Sequence, residues 1–176
     1  MAQKVGTFCR VTENLSKSIK LLLYKTIVLP QISYCPTVLL SANISQVSYL
    51  QKLQNKALRV VLNCSKYESV DRMHSTVDIM RVEDRIKYLS LIVIYKAKNE
   101  LSYGFPNITI VNNVHDHITR GNSDIMLKHC QTKAEQVLIT YKGFKLFNQL
   151  PVEIKEAPNL KEFKILCRNY LIIRNY

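Results

Sequence analysis

The chain has 176 residues, 47% of them apolar, with only four glycines and five prolines. That length and composition support a hydrophobic core and exclude a disordered tail. Lys and Arg total 25 against 13 Asp and Glu, a net charge of +12, which favours polyanionic partners, whether nucleic acid or an acidic membrane surface.

The charge is unevenly spread. Between Glu13 and Glu68 there is no carboxylate, whereas Lys17, Lys20, Lys25, Lys52, Lys56, Arg59 and Lys66 all fall there. From Tyr67 to Glu100 six basic residues meet six acidic ones. Five cysteines, Cys9, Cys35, Cys64, Cys130 and Cys167, are odd in number and far apart, a usage that fits reduced thiols and no disulfide framework. The opening "MAQKVGTFCRV" has no apolar core of the signal-peptide kind. The apolar run "LLLYKTIVLPQISYCPTVLL" is interrupted by Lys25, Pro30, Gln31 and Pro36 and cannot span a bilayer. The expectation is a nuclear and/or cytoplasmic protein, not secreted and without membrane partners.

In chain order, a first helix is predicted from about Leu15 to Leu29, capped by Asn14 or Ser16 and stopped by Pro30. A short apolar element bent at Pro36 follows. A second helix is predicted over about Ile44 to Asn63. On its wheel, with Lys52 at zero, Lys56 falls at about +40° and Arg59 at about −20°. Val47, Leu50, Leu53, Ala57 and Val61 form the opposite, core-facing side. A short helix capped by Ser69 follows. A third long helix, about Val82 to Leu101, starts on Glu83 and Asp84 at the positive end of its dipole, and its centre "YLSLIVIYKA" reads as the buried spine. Residues 102–140 read as an extended connection with short strands possible at "NITIV" and "EQVLITY". Residues 141–176 return to helix, with Leu160, Phe163, Leu166, Cys167, Tyr170 and Leu171 at helical spacing. The fold class is mainly α, with a small irregular β element in the second half and α+β as the alternative. Three divisions are expected: a helical 1–101, the connection 102–140 and a C-terminal 141–176 packing back on the core.

The chemistry-bearing residues exclude several activities. Glu83 and Asp84 are neighbours pointing to different sides, no Gly-rich phosphate loop exists, and nothing supplies the convergent carboxylates of a two-metal site. His115, His117, His129 and Cys130 offer four zinc ligands, but their spacing matches no established pattern, and no metal or other cofactor is expected. What remains is basic plus aromatic: ten tyrosines accompany the cations, adjacent to them at Tyr24–Lys25, Lys66–Tyr67, Lys87–Tyr88, Tyr95–Lys96 and Tyr141–Lys142. Such pairs hold phosphates and stack on sugars or bases, though tyrosines in "YLSLIVIY" are more simply core residues.

The segments "LYKTIVLPQISYCPTVL", "LQKLQNKALRVVLN", "RIKYLSLIVIYK", "HDHITR" and "YKGFKLFNQLPVEIKEAPNLKEFKILCRNYL" follow one another in a fixed order. The series resembles the region after the polymerase core in jockey-type reverse transcriptases of non-LTR retrotransposons, the RNA-directed DNA polymerases of these mobile elements, and covers about Leu21 to Leu171. It departs from that family in having no tryptophan: Leu39 or Leu40 ends the first element and Phe147 precedes Asn148. The resemblance implies a thumb-like helical bundle and its C-terminal extension, without the catalytic aspartates and inactive alone.

It also implies that the "Q-N-K-A-L-R" helix here is Gln54, Asn55, Lys56, Ala57, Leu58 and Arg59, and that Arg120 matches a "T-R" loop. The expected function is a non-catalytic fragment that grips an RNA or DNA template–primer backbone. Lys52, Lys56 and Arg59 carry it, with Lys17, Lys20 and Arg120 as further candidates, and the palm and fingers of a parent polymerase are partners if present upstream. The alternatives are an adopted protein–protein interaction module and a decayed reading frame without selected activity.

Overall fold

In the computed structural model, residues 1–99, 108–111 and 123–173 are described. The chain is mainly helical, as expected from sequence. It divides into two compact units: Met1–Cys35 with Ala42–Arg85, and Pro36–Ser41 with Ile86–Tyr176. This cuts across the three-part division read from sequence, because most of the long third helix and the short segment 36–41 belong with the second unit.

The first unit opens with a helix that the sequence reading passed over, α1 (Ala2–Val11), which buries Val5 and Phe8. Next come α2 (Lys17–Leu23), a π-helical turn (Tyr24–Val28) and α3 (Leu29–Ser33). Pro30 does not stop this helix, contrary to expectation. Proline lacks an N–H and its ring clashes with the carbonyl four residues back. Here the widened turn, in which the Leu29 N–H bonds to the Tyr24 carbonyl, accommodates it. Tyr24, Val28 and Ile32 are each 0% exposed, so this continuous helix forms one wall of the core. The other walls are α1, α5 (Ile44–Leu62) and α6 (Val70–Val77). Val5, Phe8, Tyr24, Val28, Ala57, Leu58, Val61, Val77 and Ile79 form one apolar cluster.

The second unit holds α4 (Pro36–Leu40), the greater part of α7 (Val82–Lys98), and, beyond residue 123, a series of short helices. These are α8 (Lys133–Gln136), a π turn (Ile139–Gly143), α9 (Phe144–Asn148), α10 (Val152–Lys155) and α11 (Leu160–Ile173). Tyr95 of α7 stacks on Phe163 of α11 with ring centroids 4.2 Å apart, and Phe147 of α9 lies 6.4 Å from Phe163. The Tyr95 hydroxyl donates to the Ala157 carbonyl at 2.7 Å. Gly143 allows the π turn to lie against α7, since a Cβ there would sit 2.9 Å from Ile94 Cδ1.

"EQVLITY" is not a strand. It forms the end of α8, which has a Thr132–Glu135 capping box, and the start of the π turn. Extended pairing among the described residues is one antiparallel bridge, Ile110 with Ile125, in which Met126 N–H donates to the Thr109 carbonyl at 2.8 Å. Ile110 falls in "NITIV", one of the two segments where a short strand is possible from sequence; it forms an isolated bridge.

Candidate nucleic-acid interface

The candidate interface is the outer side of α5. Its start is fixed by a reciprocal cap: Asn43 Oδ1 accepts from the Gln46 N–H at 2.8 Å and Gln46 Oε1 accepts from the Asn43 N–H at 3.1 Å. Its end is fixed by Asn63 in the left-handed region (φ 52°), whose N–H returns to the Arg59 carbonyl. Between these caps α5 buries Gln54, Ala57, Leu58 and Val61, a core line centred at about +190° on the wheel, opposite Lys52.

Lys52 and Lys56 are exposed, as is Lys17 on α2. Arg59 is half-buried, and its Nε is a buried donor without a hydrogen-bond partner among the described residues.

Lys20 is a correction. Predicted to reach phosphates, it is 2% exposed, and its Nζ donates to Asn63 Oδ1 at 2.6 Å. The physical reason is the meeting of α2 with the end of α5: a cation is favoured beside the negative, C-terminal end of a helix. Arg120, His115 and His117 lie outside the described residues. His129 is exposed and Cys130 half-buried, and among the described residues no group of three or more His, Cys, Asp and Glu is arranged to hold a metal.

The tyrosine–lysine neighbours separate by burial. Tyr24 is fully buried; its hydroxyl accepts from Gln54 Nε2 at 3.1 Å, and burial pushes its pKa up to about 12. Tyr95 is a core residue too. Tyr67, by contrast, is 84% exposed, with the Lys66 ammonium 4.9 Å from its ring centroid.

Sequence reasoning missed a polar network on the inner edge of α5. Gln51 Nε2 donates to Asn55 Oδ1 at 2.8 Å and to Gln54 Oε1 at 3.0 Å, and lies 3.3 Å from His74 Nε2. Gln51 Oε1 accepts from the Val82 N–H at 2.8 Å, and Gln54 Nε2 donates to the Met80 carbonyl at 3.1 Å. His74 Nδ1 sits 2.8 Å from the Ile79 carbonyl, which only accepts, so Nδ1 carries the proton. Burial lowers the His74 pKa from 6.5, partly opposed by that hydrogen bond and by Asp84. Gln54 of the "Q-N-K-A-L-R" helix, together with Gln51, therefore ties α5 to α6 and residues 79–82, while Asn55 accepts from Gln51 within α5. The available signal was Gln54 itself, a polar side chain at about +200° on the wheel, inside the core stripe.

The carboxylates near this unit's end are engaged elsewhere. Glu68 pairs with Arg72 and Asp71 with Arg81, while Asp84 is 8% exposed. Lys17, Lys52 and Lys56 have no ion-pair partner among the described residues. Among the described residues the outer face of α5 is thus cationic without internal neutralisation, an arrangement suited to phosphate contact.

No known family, curated protein or solved structure matches the chain. No helix among the described residues is long and apolar enough to cross a membrane.

Proposed function

We propose that the chain is a non-catalytic, thumb-like C-terminal region of a non-LTR retrotransposon reverse transcriptase, which grips the backbone of an RNA or DNA template–primer. The observation that carries this reading is the pair of exposed lysines, Lys52 and Lys56, without an ion-pair partner among the described residues, on a well-capped helix whose opposite side is locked into the core. The ordered series of sequence segments supports it from a separate direction. Lys17 and Arg59 extend the cationic set, and Lys20 is removed from it by burial. Such a face binds phosphates without regard to sequence, so affinity falls as salt rises. The test is fluorescence anisotropy of a labelled RNA–DNA hybrid across a salt series. Four contacts, Lys17, Lys52, Lys56 and Arg59, give a log–log slope of about −3 to −4. Affinity independent of salt overturns the reading.

A second reading, a protein-interaction module, is favoured by one feature. Val11, Ile19, Leu22 and Ile27 are 67%, 46%, 61% and 42% exposed, beside a groove of about 430 Å³ lined in part by Phe8, Val11, Leu23 and Ile27. Exposed apolar groups of this kind mark protein partners, and binding through them is weakly salt-dependent.

A further inference from the structure

We propose that Tyr49 is a base-stacking residue that makes the α5 face prefer nucleic acid with unpaired bases over uninterrupted duplex. The inference rests on the nucleic-acid reading above and names the substrate class of that same face.

Tyr49 is 55% exposed, and neither its ring nor its hydroxyl has a partner among the described residues. It stands three residues before Lys52 and seven before Lys56. On the wheel it lies at about +60°, in line with Lys52 at zero and Lys56 at about +40°. Along the axis the two lysines follow it by about 4.5 and 10.5 Å, so one helix face presents a ring and then two cations in sequence. Ser45 and Ser48, also exposed and uncharged, precede them at about +20° and −40°, and no carboxylate intervenes to repel a phosphate.

The other tyrosines near cations in this unit are differently employed. Tyr24 is in the core with its hydroxyl bonded to Gln54. One face of the Tyr67 ring is already covered by the Lys66 ammonium.

Duplex bases hide their faces within the stack, and only their edges and the sugar–phosphate backbone are presented. Lysines therefore serve duplex and single strand alike, whereas an exposed ring gains only where a base is free to lie on it. Tyr49 beside Lys52 and Lys56 supplies both halves of a single-strand platform, one ring for a base and two cations for flanking phosphates.

The test uses the full chain and two labelled probes at one salt concentration, a twelve-nucleotide pyrimidine strand and a twelve-base-pair duplex. Tyr49→Ala and Tyr49→Leu are expected to weaken single-strand binding about tenfold while changing duplex binding less than about twofold. Tyr49→Phe keeps the ring and the affinity. Tyr34→Ala, which removes an 87% exposed tyrosine outside α5, leaves both unchanged. Equal effects of Tyr49→Ala on the two probes, or none on either, overturn the proposal. In that case continued weakening by Lys52→Ala with Lys56→Ala leaves the basic-face reading standing. A wild-type chain that binds neither probe overturns both.

Discussion

Lys20 and Asn63 meet at 2.6 Å, ammonium to side-chain carbonyl, at the C-terminal end of α5. This pair distinguishes two kinds of cation that look alike in sequence. Lys20 closes the junction of two helices, whereas Lys52 and Lys56 on the same α5 helix face water.

Replacing Lys20 is therefore expected to act on stability. Lys20→Ala removes a buried stem and a charged hydrogen bond and lowers unfolding free energy by about 1–3 kcal/mol in urea titration. Nucleic-acid affinity of the folded variant stays within about twofold of wild type. A large loss of affinity without loss of stability would place Lys20 at the surface.

His74 makes the first unit sensitive to mild acid. Its folded pKa is depressed from 6.5 because burial disfavours the imidazolium. Between the folded value and 6.5 the unfolded chain binds a proton that the folded chain does not, so stability rises with pH in that window and is lost as pH falls through it. Thermal midpoints measured from pH 7.5 to 5.5 should fall for wild type and flatten for His74→Leu. An unchanged profile in the variant would assign the effect elsewhere.

Asn148 acts as a strand partner made of one side chain. Its Oδ1 accepts from the Ile125 N–H and its Nδ2 donates to the Ile125 carbonyl, each at 2.9 Å. Asn148→Ala leaves both backbone groups unsatisfied beside a buried Ile125 and is expected to cost about 1–3 kcal/mol, read as a lower denaturation midpoint. Asn148→Asp keeps the acceptor, loses the donor and falls between.

Cys167 is 0% exposed on the inner face of α11, and burial pushes its thiol up to about 12. It should resist alkylation in the native protein at pH 8 and react once the chain is unfolded, because the thiolate is the reactive species. Peptide mass mapping after brief iodoacetamide treatment checks this; rapid native labelling of Cys167 would contradict the packing around Phe163.

Much of the helix pattern was legible because apolar spacing and caps agreed. Asn43, Gln46 and Asn63 bound α5 within a residue of its predicted limits, and Phe163, Cys167 and Leu171 are buried as their spacing indicated. The miss at Pro30 arose because a π turn lets a helix absorb a proline, and no single residue announces that. α1 was overlooked although Val5, Phe8 and Thr12 recur at helical spacing and are all buried. "EQVLITY" has β-favouring residues but is held in helical turns by the Thr132–Glu135 cap and by packing beside Gly143.

The candidate interface was legible only in part. A wheel separates outside from inside on one helix, so it placed Lys52 and Lys56. It does not show that α2 covers the end of that helix, which is why Lys20 was misplaced and the half-burial of Arg59 was not foreseen. The network of Gln51, Gln54, Asn55 and His74 needs three segments brought together, and spacing within any one of them does not reveal it.

The most direct test of the basic face compares wild type with a Lys52→Gln, Lys56→Gln double variant, measuring affinity for an RNA–DNA hybrid at several salt concentrations. Both side chains are exposed and have no ion-pair partner among the described residues, so stability should hold within about 0.5 kcal/mol. The account predicts weaker binding at low salt and a log–log slope shallower by about 2, one unit for each lost phosphate contact. Unchanged affinity and slope in a folded double variant would contradict it.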